Sequence, residues 1–389
     1  MPFELPRREV VVIGAGQAGL AVTYFLQRLG LSPAHDMLTL DRGPGAGGAW
    51  QHRWSDLRIG TAHRINDLPG MSELGLSFET ADRKAPAKTV VADYYARYEE
   101  HFGLQVHRPA TVTSVVDERD DLVVAFTDDD GDHEVVADVV VNASGTWGSP
   151  FMPYYPGYST FAGRHVHTAD YRSAFDFAGQ SVVVVGGGTS AVGFLLELER
   201  HASDLLWVTR RPVQFLAPGD DDLEGRLAAV RMQDEAAREG RPLPSIVSGT
   251  GIATTRRIAA GIDRGVLVAY PMFTRIEPEG VLLPDGTLHR ADAIVWATGF
   301  RPEVRHLAPL GLREAAGGLR VRNGVSESDP RVFFAGYGPS ASTIGANRAG
   351  RSVARHVVAA LHRDGSRAEW PGARKRVSRE RLRASIRHR

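Results

Sequence analysis

Two stretches of the chain share one order of apolar and polar positions. Residues 9–13 are a short, mostly β-branched run; Gly14, Ala15, Gly16, Gln17, Ala18 and Gly19 follow, and apolar positions then recur at helical spacing over 20–29. The order predicts a strand, a glycine turn and a helix. A second strand over 37–40 ends at Asp41 and Arg42, completing a βαβ unit whose acidic residue lies somewhat beyond the usual ~20-residue spacing. The same order returns at 181–185, then Gly186, Gly187, Gly188, Thr189, Ser190 and Ala191, a helix ending at Arg200, and a strand over 205–209 that runs into Arg210 and Arg211. The chain therefore contains a repeat. Between its copies, 90–102 reads as a helix, 111–116 and 122–126 as strands, and 128–132 as an acidic turn. After them, the Pro284, Asp285, Gly286, Thr287 turn predicts a hairpin leading to a buried strand over 293–297, and a strand over 332–335 precedes a helix over 345–361. Alternating strands and helices imply an α/β fold with parallel sheets.

The chain has 389 residues, room for two or three domains and a cleft between them. Its longest apolar stretches are strand-length, so no membrane span is expected. The 46 basic and 46 acidic residues cancel, which leaves no global field for nucleic acid or lipid and points to a small-molecule partner, with a homodimer as the open alternative to a monomer. Only Lys84, Lys88 and Lys375 are lysines, so arginine is too common here to mark a site by its presence alone. The absence of cysteine excludes disulfide frameworks, thiolate nucleophiles, CxxC relays and iron–sulfur or thiolate zinc sites, and no metal site is expected. The first ten residues lack the apolar core of a signal peptide, so a cytoplasmic location is expected. Residues 363–389 form a basic tail, read as a solvated helix or frayed end, and 212–248 offers no template.

A dinucleotide brings a pyrophosphate, and a helix N-terminus offers it free amides and a favourable dipole. In the first unit Gly14 makes the tight turn, Gly16 admits the phosphates and Gly19 lets helix meet strand, with Gln17 and Ala18 in the first helical turn. Asp41 would accept from a ribose hydroxyl and repel a 2′-phosphate; this site suits FAD or NAD, and Arg42 and Val112 are placed beside the same nucleotide. In the second unit Gly186, Gly188, Thr189, Ser190 and Ala191 form the turn, and Arg210 and Arg211 replace the acid. Guanidinium forks match a phosphate, so NADPH is assigned there. One three-glycine match arises by chance about 0.5 times in a chain this rich in glycine, so two matches in strand–helix context carry the argument that one would not.

Phe161, Gly163, His167 and Tyr171 precede the second unit at a spacing expected by chance only about 0.0015 times. With the two glycine turns in this order, they make the chain similar to the flavin-containing monooxygenases, across about residues 9–351. Gly47, Gly48, Ala49 and Trp50 resemble the family's GGxW; 142–147 with Pro150, and Ala297, Thr298, Gly299 and Phe300, resemble its ATG turns, the first of them contributing Gly145; 334–337, with Gly336, resembles the segment that closes over the flavin. The resemblance implies an FAD domain of 1–151 and 293–362 interrupted by an NADPH domain of 152–292, both Rossmann-like. It also implies an enzyme in which NADPH reduces FAD and O2 then adds at flavin C4a, the hydroperoxide oxygenating a soft nitrogen, sulfur or carbonyl centre. The cofactor supplies that chemistry, which explains why no side-chain nucleophile is evident.

Tyr171 stands where Baeyer–Villiger members carry Trp, which favours N- or S-oxygenation or N-hydroxylation over carbonyl oxygenation. A reductase that inserts no oxygen is the other alternative; its disulfide-reducing branch needs a CxxC pair that the chain lacks. Family members often carry an Asn soon after GGxW, whereas this chain has Gly60 or Thr61 there, leaving Thr61 and His63 as candidates beside the flavin ring. His167 is either an interdomain anchor, the favoured reading, or a proton carrier. Trp50 and Trp54 either stack by the flavin or fill core.

Overall fold

The apolar runs are buried on both faces, as parallel strands between two layers must be. The computed structural model describes residues 5–62, 65–217, 223–244, 251–341 and 343–363. In chain order the elements are β1 (Arg7–Ile13), α1 (Gln17–Arg28), β2 (Met37–Leu40), α2 (Ala87–Phe102), β3 (Val106–His107), β4 (Thr111–Glu118), β5 (Asp121–Asp128), β6 (Gly131–Asn142), β7 (Arg164–His167), β8 (Ser181–Val185), α3 (Thr189–Leu198) and β9 (Asp204–Thr209). There follow β10 (Phe215–Leu216), α4 (Leu223–Arg238), β11 (Ile252–Ala253), α5 (Arg256–Asp263), β12 (Ala269–Pro271), β13 (Arg275–Glu277), β14 (Gly280–Leu282), β15 (Leu288–Arg290), β16 (Ala293–Trp296), β17 (Val321–Arg322), β18 (Val325–Ser326), β19 (Val332–Phe334) and α6 (Thr343–Arg363).

The first sheet runs β17-β18-β19-β6-β1-β2-β3, with β4 and β5 continuing from β6 as an antiparallel meander. Its centre is parallel: Val10 lies opposite Val139 on β6 and Met37 on β2, and Val140 opposite Val332 on β19. Period-2 alternation divides these valines between two cores. Val10, Val12, Val139 and Val141 pack with Val22, Leu26, Val353 and Val357 of α1 and α6, while Val11, Ile13 and Val140 pack with Val115, Leu122 and Val124 of the meander. The central strand β6 escapes a sequence reading because its polar first half serves the meander and its apolar second half is buried on both faces, so no single period runs through it.

The second sheet, β12-β9-β8-β16-β7, is wholly parallel. Val182, Val184 and Val295 face Phe194, Leu195 and Leu198 of α3; Val183, Val185 and Ile294 face Phe273, just before β13, and Ile276 and Val281 of the antiparallel sheet β13-β14-β15. The hairpin expected around Asp285 is β14 to β15. β16, expected to begin the last segment of the first body at residue 293, is hydrogen-bonded between β7 and β8 in the second sheet. The 212–248 region contains α4, which lies against β17 and the Gly338–Ala341 turn, with Ala237 buried in the meander-side core of the first sheet. The basic tail from residue 364 lies outside the described residues. Among the described residues no helix is long and apolar enough to cross a membrane, and no group of acidic and histidine side chains is arranged to hold a metal ion.

Candidate active site

Two glycine turns open onto the C-terminal ends of the two sheets, where α/β folds bind ligands. Gly14 has φ +101°, and a Cβ there would sit 2.6 Å from the Ala143 carbonyl oxygen; Gly186 repeats this with φ +131° and a Cβ 2.3 Å from the Ala297 oxygen. Only glycine satisfies both demands. The helices that follow start from Gly16 and Gly188, and neither is capped by a side chain, which leaves their N-termini open to an anion. Gly19 lies behind the first turn, where a Cβ would meet the Gly14 oxygen at 1.8 Å. The residues therefore fit a dinucleotide at each turn.

A groove of about 240 Å³ runs along the first turn, lined by Gly14, Gly16, Gln17, Ala18, Asp41, Arg42, Gly48, Trp50, Gly145 and Gly336. These come from five separate segments and are brought together as the sequence motifs imply. Asp41 is buried; its carboxylate accepts the Ala15 N–H at 2.7 Å and the Gly43 N–H at 2.9 Å. It thus braces the glycine turn and retains lone pairs for a ribose. The groove also takes in Gln51, His52, Arg53, Trp147 and Ser340, none of which was singled out as a site residue from sequence. Arg53 and His52 follow Trp50 directly, so extending that motif by three residues would have found them. Trp147 stacks on Phe300 (4.8 Å) and on His52 (5.9 Å), and the Arg53 guanidinium lies 4.6 Å from the Trp147 ring centre. Burial, then the Arg42 charge, holds the His52 imidazole below its usual range.

Other expected site residues lie elsewhere. Thr61 is exposed and is not among the residues lining the groove; its hydroxyl accepts the Arg58 N–H and donates to the Arg58 carbonyl within its own turn. His63 lies outside the described residues. Val112 is on β4, packed against the meander-side core and away from the groove lining. His167 is buried; its Nε2–H donates to the Gly299 carbonyl (3.0 Å) and its Nδ1 accepts the Ala169 N–H (3.1 Å). Burial holds it below the usual histidine range, and both ring nitrogens are engaged by backbone groups. Gly299 also takes the Phe151 N–H at 3.0 Å, and Thr298 Oγ1 donates to the Phe151 carbonyl, so these residues join the bodies and do not line the groove.

At the second turn, Thr189, Ser190 and buried Ala191 begin α3, while Arg210 and Arg211 stand exposed just past β9, without an ion pair among the described residues. A side-chain staple crosses between the bodies. Trp54 is buried in the α3 core against Phe194 (4.9 Å) and Tyr171 (6.0 Å), and its Nε1–H donates to Glu197 Oε1 at 3.0 Å; the Tyr171 hydroxyl donates to Glu197 Oε2 at 3.5 Å. Burial raises the Glu197 carboxyl above its usual range. Trp54 therefore fills core, and Tyr171 faces it instead of the groove.

Comparison with known proteins follows the same lines. Residues 11–230 match the family model described as pyridine nucleotide-disulphide oxidoreductase. The chain is 29% identical over 348 residues to indole-3-pyruvate monooxygenase YUCCA1 of Oryza sativa subsp. japonica, covering 82% of this chain and 81% of that protein. It is 29% identical over 215 residues to senecionine N-oxygenase of Tyria jacobaeae, covering 51% and 46%. The solved flavin-containing monooxygenase from Stenotrophomonas maltophilia superposes with a TM-score of 0.75 at 33% identity, over 91% of this chain and 99% of that one. The chain belongs to the pyridine nucleotide-disulphide oxidoreductase family, on its flavin monooxygenase branch.

Proposed function

We propose that the chain binds FAD along the first groove and NADPH at the second turn, and that it oxygenates a small molecule at a soft nitrogen or sulfur centre. The observation that carries this reading is the pair of open, uncapped helix N-termini, each following a parallel strand of one of the two sheets. The named activity of the senecionine N-oxygenase supports the nitrogen centre, and the indole-3-pyruvate monooxygenase supports oxygenation of a small molecule. FAD, when bound, would accept hydride from NADPH and activate O2, one oxygen atom going to the substrate and the other leaving as water.

The chain's own residues bind and position. The first turn takes the pyrophosphate, Asp41 the ribose, and Arg42 and Gly145 the flanks of the groove. Arg210 and Arg211 receive the 2′-phosphate, which selects NADPH over NADH. His167 and the Trp54–Glu197 staple set the distance between the two nucleotides. Residues 1–151 with 297–362 form the FAD body and 152–296 the NADPH body.

Carbonyl oxygenation is the second reading. The buried, core-packed Tyr171 in the linker fingerprint favours nitrogen or sulfur over it. The purified protein is expected to be yellow, to release FAD on denaturation, and to consume NADPH and O2 faster with thioethers or tertiary amines than with cyclic ketones. A colourless protein, or an NADPH oxidation that none of these compounds stimulates, refutes the reading.

A further inference from the structure

The groove holds a cation whose counter-charge is missing. Arg53 lines it, with its Nε buried and without a partner, and neither a hydrogen bond nor an ion pair joins its guanidinium to any described residue. The guanidinium lies over Trp147 at 4.6 Å and Trp50 at 5.6 Å, rings that fix its position without neutralising it. Burial lowers its pKa to about 10, so it stays charged at neutral pH. The one carboxylate of the groove is engaged: Asp41 takes two backbone N–H groups and lies 3.8 Å from Arg108. Arg42 already has Glu303 at 3.9 Å. A buried charge left unpaired is costly, so a ligand's negative charge belongs beside Arg53.

We propose that Arg53 is the electrostatic partner of the reduced flavin ring, an inference that rests on FAD binding in this groove. Hydride from the nicotinamide brings two electrons and one proton; the ring therefore gains one negative charge unless it takes up a second proton, and the nicotinamide leaves as NADP+. The pyrophosphate has its own receptor in the open N-terminus of α1. Arg53 lies beyond that turn, among the aromatic rings of Trp50 and Trp147. A fixed positive charge there favours the reduced, anionic ring over the neutral oxidised one. Arg53 is a binding and tuning residue, and no proton passes through it.

The test compares the holoenzyme with R53M and R53K by spectroelectrochemical titration, and measures the Kd of each for oxidised and for reduced FAD. In R53M the reduced cofactor is expected to bind about tenfold more weakly relative to the oxidised one, which in a two-electron couple places the potential about 30 mV lower. R53K, which keeps the charge, is expected to lie nearer the wild type. An unchanged potential in R53M with FAD retained overturns the proposal. Equal weakening of both redox forms also overturns it, because the anion served is then the pyrophosphate. If R53M fails to fold, the wild type decides: a one-proton couple falls by about 30 mV per pH unit through neutrality, and twice that slope means a neutral ring and a wrong proposal. A wild type that binds no FAD at all refutes the functional reading underneath, a result distinct from all of these.

Discussion

Arg210 and Arg211 end β9 on open surface, at the position where an acid would favour NADH. Alanine at either is expected to weaken NADPH by about ten- to a hundredfold, the ~1.5–3 kcal/mol of one charged contact, and to leave NADH almost untouched. Equal NADPH to NADH ratios in wild type and both variants, measured by steady-state kinetics, contradict the assignment. His306 makes a second residue-level prediction. It is buried, its Nε2–H donates to Asn142 Oδ1 at 2.8 Å, and burial holds its pKa down to about 4. A histidine kept neutral by folding takes up protons first in the unfolded chain. The stability it contributes is therefore complete above its unfolded value of about 6.5 and is lost as pH falls from there to about 4, by on the order of 3 kcal/mol. H306Q is expected to flatten that part of the pH dependence of urea unfolding; an unchanged curve contradicts the account. Residues at this scale were legible where a motif fixes the backbone. Gly14, Gly16, Asp41 and Gly336 line the groove as the spacing implied, whereas Thr61 turned back on Arg58 because a three-residue hydroxyl turn is local and carries no long-range signal.

At the scale of elements, the two strand–turn–helix units were plain in the sequence because period 2 gives way to period 3.6 across a glycine turn. Three elements were not. β6 changes its surroundings halfway along, β16 is an apolar run that fits either sheet, and α4 joins a core far from it in sequence, so pairing and packing decide each of them. The Trp54 staple belongs here as well, since nothing in the order of residues 48–57 shows that the chain leaves the first body's core and enters the second's. W54F keeps most of the packing and removes the Nε1–H that Glu197 accepts. It is expected to lower stability by about 1–3 kcal/mol, because a buried carboxyl then loses a donor, and E197Q in the same background should recover part of the loss. Thermal unfolding of the double-mutant cycle checks this; full additivity rules out the pairing.

On the scale of the whole molecule, the fold leaves two helix N-termini without side-chain caps, one after each glycine turn, and ties the bodies together through His167 to Gly299 and Trp54 to Glu197. On the proposed reading the cofactor supplies the chemistry, and the chain's part in the reaction is to bind, orient and exclude water. Substrate choice was not legible, since it depends on loops whose composition follows no structural template. The most direct test of the whole account is the fate of the oxygen atoms when the enzyme turns over a thioether or tertiary amine under isotopically labelled O2. One labelled atom in the product for each NADPH oxidised is the predicted result. Unlabelled product, or NADPH consumed with all the label recovered in hydrogen peroxide, contradicts it.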